Sequence, residues 1–411
     1  MSRSHPGAVQ TCARMPIDIP LFGATLALVV IGIWMVLDTS YVRSLDNPEH
    51  GYDAFFLVRR QAVGAVVGMC ALFWMMRTDY WRLRRLAVPG MLVGVVLLCC
   101  VWVPGIGKEL NHAHRWVDLG PVTFQPSEVA KFTLLLYLAA ILSRPDRNVR
   151  YLGEKGLSAP LLVAGVYLLL IEREPDLGTA FVLFLAVLTQ LFLAGARKRH
   201  LLLILLICGL AVLLYGLRGD GIGHRAGRLT AFVNPDHDRQ GIGFQVYHAR
   251  LAIGSGGWFG QGLGQSREKS YIPQANSDFV FATLAEELGF VRTVPVITLL
   301  FIVGWRGFRI AWCTRDRFGA LLAGGIAALI SWQAIVNIAV ATAAIPATGV
   351  PLPFISHGST ALVLTMAGVG VLLNIAQYPV PPAEASDLSR ARKSNGSAPG
   401  NAGAIHPRGA V

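Results

Sequence analysis

The sequence predicts an all-α polytopic membrane protein with ten transmembrane helices and a long extracytoplasmic loop between helices 7 and 8. Of its 411 residues, 54% are hydrophobic and 15% are charged, and the mean hydropathy is +0.52. The first of many charge-poor stretches, 19–37, is long enough to cross a hydrocarbon core of about 30 Å at about 1.5 Å per residue. The pattern excludes a secreted enzyme with one anchor, and a β-barrel, whose strands would be short and alternating.

The ten predicted spans follow the charge-poor segments in chain order. They are 18–38, 60–76, 87–104, 127–143, 157–172, 177–195, 200–217, 278–304, 318–342 and 358–377. The predicted cytosolic loops carry 15 Lys and Arg residues, in 77–85, 144–155, 197–199 and 306–317. The short outer loops carry six, in 39–60, 105–125 and 172–176. This asymmetry predicts that both termini are cytosolic.

The chain divides into a cytosolic N-terminal tail (1–17), a transmembrane domain (18–378) and a cytosolic C-terminal tail (379–411). The last tail is rich in Pro, Ala, Ser and Gly and is predicted to be disordered. The outer loop 218–277 is too long for a simple connection, which makes it a candidate functional element. The net charge of +12 is explained by the basic cytosolic loops, and no recognition module indicates nucleic-acid binding.

Two segments of the long outer loop have the composition of a chain at the membrane surface. The amphipathic stretch 244–253 predicts a short interfacial helix. The glycines from Gly254 to Gly264 flank Trp258 and Phe259, a pattern that favours a chain lying in the interface and approaching a lipid headgroup closely.

Ionisable residues inside a span cost about 2.5 to 3.5 kcal/mol each and therefore call for a partner or a function. Glu128 and Lys131 are spaced i, i+3 on one face of the fourth span. They predict either a salt bridge that orients the helix or a polar substrate cavity. Asp176, in the tight turn before the sixth span, is either a helix cap or a cavity residue.

The eighth span carries further acidic residues. Glu286 and Glu287 are interpreted as internally paired, with Arg292 as the nearby cation. Asp278 differs, because it stands where the long outer loop meets an apolar helix. A carboxylate held rigidly and partly desolvated at the outer surface suits a general base, although an N-cap aspartate would occupy the same position.

Five blocks of sequence resemble the SEDS family, the cell-shape, division and sporulation proteins typified by FtsW, RodA and SpoVE. The blocks are Pro104–Gly107 with Arg115–Gly120, Phe124–Lys131, Glu174–Thr179, Gly254–Gly289 and Gly349–Ser356. The resemblance covers about residues 18–378. Glu174–Asp176 and the Gly262–Ser266 run with Lys269 are closer to FtsW than to RodA.

The resemblance implies a peptidoglycan glycosyltransferase that polymerises lipid II at the outer face of the bacterial cytoplasmic (inner) membrane. It implies inverting transfer from a polyprenyl diphosphate donor. The partners that it implies are a class B penicillin-binding protein as transpeptidase and membrane proteins of the divisome or elongasome. By motif, Asp278 matches the essential aspartate of the family, while Glu128, Lys131 and Asp176 match its central cavity residues. Ser356 ends the last block as a further cavity candidate.

A diphosphate leaving group requires positive charge nearby. The candidates are Lys131, Arg115, Arg225, Arg228 and Arg250. No cofactor is certain, but a divalent cation (Mg²⁺ or Mn²⁺) is an alternative source of that charge. The chain departs from the family at His357, where an aromatic tyrosine is usual, and at Arg292, where glycine is usual, and the resemblance implies no substrate contact at these two positions.

Two other functions fit the same topology. A lipid-linked sugar flippase or an ion-coupled carrier also has many helices with intramembrane charges, although no internal repeat supports it. A noncatalytic scaffold that recruits the transpeptidase would leave Asp278 unexplained.

Overall fold

The protein is a bundle of α-helices in the computed structural model. The structure describes residues 16–45, 53–105, 107–110, 113–118, 123–151, 153, 156–217, 243–272 and 275–378. The helices are α1 (Ile19–Leu45), α2 (Phe56–Arg77), α3 (Tyr80–Cys100), α4 (Pro126–Leu142), α5 (Ser158–Arg173), α6 (Leu177–Leu193), α7 (Lys198–Leu217), α8 (Phe244–Gly256), α9 (Val280–Cys313), α10 (Arg317–Ala341) and α11 (Ser359–Ala376).

The predicted class of an all-α, multi-pass membrane protein is confirmed. A helix lies over each of the ten predicted spans. Within the described ranges, six helices are long and apolar enough to cross a membrane, namely α1, α2, α3, α9, α10 and α11. The helices α4, α5 and α6 have only 17, 16 and 17 residues, and α7 is not among the six, so the count of ten crossings stays a prediction. Large apolar side chains are exposed on the outer faces of the bundle, as lipid contact requires, among them Val66, Leu162, Leu206 and Phe301.

Four helices extend by a turn or more beyond the spans predicted from hydropathy. Helix α1 ends at Leu45, α2 begins at Phe56, α3 begins at Tyr80 and α9 ends at Cys313. The added turns contain basic residues such as Arg82 and Arg309. Hydropathy identifies only the part of a helix that fits in hydrocarbon, whereas a helix can continue into the polar interface. The predicted loops 77–85 and 306–317 are therefore largely helical.

The outer segment between α3 and α4 contains a small sheet that the sequence analysis did not predict. Strands β1 (Gly107–Leu110), β2 (Ala113–Asp118) and β3 (Thr123–Phe124) form an antiparallel sheet in the order β1-β2-β3. Val117 pairs with Phe124, and Pro126 begins α4 two residues later. The sheet therefore carries the chain directly into the start of α4.

Helix α10 is the central helix of the bundle. It packs against α9, α6, α4 and α11, and most of its side chains are buried. Close contact depends on small residues, since a side chain at Gly324 would meet Leu193 and one at Gly325 would meet Gln190. Because α10 contacts both the start of α9 and the segment before α11, it connects the elements that form the candidate site.

Helix α9 is broken near its N-terminal end. Gly289 has φ 70° and ψ 179°, a conformation open essentially to glycine alone. The backbone groups released by the break pair with the glycine-rich loop: the N–H of Phe290 donates to the C=O of Gly257 at 2.9 Å, and the N–H of Gly262 donates to the C=O of Glu287 at 3.1 Å. The break separates a short half-helix, 280–288, from the rest of α9.

Two glycines of the glycine-rich run pack against the backbone of α9. A Cβ at Gly260 would collide with the carbonyl oxygen of Glu287, and one at Gly256 would collide with that of Ala285. The approach of the run to a lipid headgroup stays a prediction. Trp258 and Phe259 are 68% and 70% exposed and remain free to contact the membrane interface. The predicted helix at 244–253 is confirmed as α8.

Candidate active site

Asp278 directly follows the segment 218–277 and lies two residues before Val280, the first residue of α9. Its backbone oxygen accepts a hydrogen bond of 2.8 Å from Nδ2 of Asn337 in α10, and its Oδ1 accepts one of 2.9 Å from the hydroxyl of Ser277. Phe279 occupies the N-cap position of α9. The N-cap interpretation of Asp278 is therefore wrong, because the helix begins one residue too late for this side chain to occupy the cap.

The segment before α11 holds the chain around Asp278. The Nδ2 of Asn337 also donates to the C=O of Val350 at 2.7 Å, so one amide group fixes both segments. Further along, the N–H of His357 donates to the C=O of Asn276 at 2.8 Å. Gly349, with φ +75°, faces the carboxylate, since a Cβ on it would lie 3.4 Å from Oδ2 of Asp278. These contacts fix the backbone of the aspartate on two sides.

Ser356 is a structural member of this arrangement. Its hydroxyl accepts from the N–H of Leu352 at 2.7 Å and donates to the C=O of Ser277 at 2.5 Å. The side chain of Gln61 in α2 spans the same turn, with Nε2 donating to the C=O of Ser356 at 3.3 Å and Oε1 accepting from the N–H of Gly358 at 3.2 Å. Ser356 therefore orients the chain beside Asp278, and its hydroxyl is already used twice.

The second predicted feature, the charged pair of α4, is buried. Nζ of Lys131 lies 2.8 Å from Oε1 of Glu128, and the side chains are 1% and 4% exposed. Pro126 occupies the first turn of α4, a position that suits its fixed φ, and Glu128 lies in the same turn, where the helix dipole favours an acid. The salt bridge is thus present. Whether it also lines a substrate cavity stays a prediction.

Asp176 caps α6 and connects it to α4. Its Oδ1 accepts from the N–H of Thr179 at 3.2 Å, and its Oδ2 accepts from Nε2 of Gln125 at 3.1 Å. Two residues later, a Cβ at Gly178 would collide with the carbonyl oxygen of Thr348. Segment 348–350 therefore lies between the Asp176 turn and Asp278, which brings together motifs far apart in sequence.

Arg115 in β2 binds the turn between α5 and α6. Its Nε donates to the C=O of Glu174 at 3.0 Å, and its guanidinium also donates to the C=O of Pro175. These bonds give Arg115 a structural role in the described geometry. Arg250 is exposed on α8, and Arg225 and Arg228 lie outside the described residues. The described part of the chain contains no group of three or more His, Cys, Asp or Glu residues arranged to hold a metal ion, so it supplies no donor set for the Mg²⁺ or Mn²⁺ that was considered.

Glu174, in the turn that Arg115 binds, is fully buried, and neither of its carboxyl oxygens has a hydrogen-bond partner within the described ranges. Burial, followed by the negative charge of Asp176, raises the pKa of Glu174 to about 9, although the positive charge of Arg115 opposes the rise. The carboxyl group is therefore protonated at neutral pH, which avoids the cost of an unpaired buried charge.

The pKa of Glu174 predicts a pH dependence of stability. The folded-state pKa lies above the ordinary glutamate value of 4.5, so the stabilisation is complete below pH 4.5 and is lost as the pH rises towards 9. We expect the melting temperature of the purified protein to fall over this range, and Glu174→Gln to reduce the slope. The control is Glu172→Gln, a matched change at a half-buried glutamate two residues earlier. Equal slopes for wild type and Glu174→Gln would contradict the prediction.

Several structurally important residues were not identified from the sequence. Asn337 and Gln61 are buried polar residues within predicted spans, and an uncharged polar side chain inside a span was the available signal. The partner of Glu286 and Glu287 was predicted to be Arg292, which is exposed. That prediction is wrong, since the two carboxylates instead contact the segment Ser266–Lys269 of the outer loop.

The comparisons with known proteins agree with this architecture. The family model described as "Cell cycle protein" (FtsW/RodA/SpoVE) matches residues 20–379. "Stage V sporulation protein E" of Bacillus subtilis (strain 168) is 38% identical over 88% of this chain and 97% of its own length. "Probable peptidoglycan glycosyltransferase FtsW" of Trichlorobacter lovleyi is 38% identical over 87% of this chain and 92% of its own length.

Two solved structures have the same fold. One, described as "Structural coordination of polymerization and crosslinking by a peptidoglycan synthase complex", has a TM-score of 0.74 at 29% identity and covers 89% of this chain and 99% of its own. The rod shape determining protein RodA of Thermus thermophilus has a TM-score of 0.63 at 29% identity and covers 89% of this chain and 98% of its own. With a family model matched over most of its length, the chain belongs to the FtsW/RodA/SpoVE family, the SEDS proteins.

Proposed function

We propose that the protein is a peptidoglycan glycosyltransferase that polymerises lipid II into glycan strands at the outer face of the cytoplasmic membrane. The observation that carries the proposal is the position of Asp278, whose backbone is held between Asn337 of α10 and the segment Gly349–Ser356. The relatives that this chain matches over more than 90% of their length include proteins named as probable peptidoglycan glycosyltransferases. Because its backbone is already fixed, the carboxylate loses little conformational entropy when it is positioned for the reaction.

In the proposed reaction, a sugar hydroxyl of one substrate attacks the anomeric carbon of the other, with inversion. The new bond joins the hydroxyl oxygen to the anomeric carbon, and the bond from that carbon to the polyprenyl diphosphate breaks. Asp278 accepts the proton of the attacking hydroxyl. Positive charge near the departing diphosphate stabilises it. Lys131, a buried cation of the proposed cavity, is the candidate for this role.

The assembly proposed for the chain follows from the same relatives. A solved structure with this fold is part of a peptidoglycan synthase complex that coordinates polymerisation and crosslinking. A class B penicillin-binding protein is accordingly the proposed partner, within the divisome if the role is that of FtsW and within the elongasome if it is that of RodA.

The proposed site requires the loop 218–277 to be outside the membrane and both termini to be in the cytosol. We expect a cysteine introduced at Asn234, after replacement of the six native cysteines, to react with an impermeant maleimide in intact cells. A cysteine in the loop 144–155 is the control and should react only after the membrane is permeabilised. Labelling of Asn234→Cys only in permeabilised cells would reverse the orientation and contradict the site.

The direct test of the function is synthesis of glycan strands from purified lipid II. We expect the protein in detergent to form long strands, alone or with its cognate transpeptidase, that separate on SDS-PAGE. Movement of lipid II across vesicles without strand synthesis would instead indicate a flippase. Binding of the transpeptidase with neither activity would indicate a scaffold.

A further inference from the structure

A buried lysine fastens the outer loop to α1 and to the half-helix 280–288. Nζ of Lys269 lies 2.7 Å from Oδ1 of Asp38 in α1, 3.1 Å from Oε1 of Glu287 and 3.1 Å from the carbonyl oxygen of Gly264. An ammonium group has three donors, so each of them has an acceptor here. The side chains of Lys269, Asp38 and Glu287 are 13%, 9% and 0% exposed, so solvent screens these contacts little.

The half-helix depends on this loop for its orientation. Because Gly289 interrupts α9, the half-helix is not simply continued by the longer part of α9. Near the C-terminal end of the half-helix, Glu286 accepts hydrogen bonds from the hydroxyl of Ser266 and from the N–H of Arg267, the latter at 3.1 Å. At the N-terminal end of the half-helix, only Phe279 separates it from Asp278. A rotation of the half-helix would therefore displace the carboxylate.

The cluster contains two carboxylates and one ammonium group. Oδ2 of Asp38 and Oε2 of Glu287 are buried without a hydrogen-bond partner in the described part of the chain. Burial acts to lower the pKa of Lys269, but the hydrogen bond and charge of Asp38, followed by those of Glu287, raise it above its ordinary value. Removal of the ammonium would leave two neighbouring buried carboxyl groups without a counter-charge, so that they repel each other or one of them takes up a proton.

We infer that Lys269 is a positioning residue for glycosyl transfer: its bridge from Asp38 to Glu287 sets the orientation of the half-helix and thereby the position of the Asp278 carboxylate. The inference rests on the proposed function, because it assigns the effect to Asp278. A bridge that only stabilised the fold would reduce the amount of folded protein and leave the kcat of that folded protein unchanged.

The test compares Lys269→Met with Lys198→Met, a matched change at an exposed lysine. Hydrogen exchange measures the half-helix without reference to activity. We expect Lys269→Met to lose amide protection in 280–288 while 290–313 keeps it. We also expect kcat for strand synthesis to fall roughly 10- to 100-fold, because small displacements of a reacting group have effects of this size, with an unchanged KM for lipid II. Lys198→Met should match wild type in each measurement.

A second variant separates positioning from a failure to fold. Lys269→Met combined with Asp38→Asn removes one positive and one negative charge, so the cluster keeps its original net charge. We expect it to recover part of the lost protection and of kcat, and Lys269→Arg to retain most of both. If amide exchange of 280–288 were unchanged in Lys269→Met, the inference would be overturned whatever the activity. It would also be overturned if this variant lost amide protection but kept the wild-type kcat. Absence of strand synthesis by wild type would instead overturn the proposed function.

Discussion

Asp278→Asn is expected to reduce strand synthesis by about 100-fold or more, since a general base typically contributes roughly 10²- to 10⁴-fold. The substitution keeps the shape of the side chain. The amide oxygen can still accept the hydrogen bond from Ser277, and the bond from Asn337 is to the backbone and does not depend on the side chain. Phe279 occupies the N-cap of α9, so no capping bond is lost. The change therefore removes proton acceptance with little effect on the fold.

The measurement is SDS-PAGE of labelled strands made by purified wild type and Asp278→Asn, each with its transpeptidase. Asp146→Asn, at an exposed aspartate on another loop, is the matched control and should make strands at the wild-type rate. Binding of lipid II and of the transpeptidase should persist in Asp278→Asn. Near wild-type synthesis by this variant would exclude a catalytic carboxylate at this position.

The helices could be predicted because their signal is local and repeated. An apolar segment of sufficient length has few alternatives in a membrane, and a helix lies over each of the ten predicted segments. The predicted ends of the helices were less accurate, because hydropathy does not mark where a helix ends once it extends beyond the hydrocarbon core of the membrane. The sheet between α3 and α4 was missed because its strands, of two to six residues, are too short to show a period.

The site was predicted in part. Asp278, Glu128, Lys131 and Asp176 could be selected because ionisable residues in apolar surroundings need an explanation. Their partners could not be predicted, because pairing depends on tertiary contacts between distant segments. The bridge from Lys269 to Asp38 joins residues 231 positions apart, and a break of α9 at Gly289 allows the outer loop to reach Glu287.

Lys131→Ala is the second change for which we expect a large effect. Its ammonium lies 2.8 Å from Oε1 of Glu128, and both side chains are buried. Removal of one partner leaves the other charge uncompensated in a site of low dielectric, which costs about 3–5 kcal/mol of unfolding free energy. We expect a lower melting temperature and impaired strand synthesis, and Glu128→Gln should act in the same direction. Lys198→Ala is the control for loss of a lysine at an exposed position.

Loss of activity in a destabilised variant does not by itself show that the pair contacts substrate. The double variant Glu128→Gln with Lys131→Met removes both charges and keeps similar volumes, so we expect it to regain much of the melting temperature. If Lys131 stabilises the departing diphosphate, this variant should be folded and still inactive, because the uncharged methionine side chain cannot stabilise negative charge. Wild-type strand synthesis by the folded double variant would show instead that the pair only supports α4, and the cation would then have to come from another part of the chain.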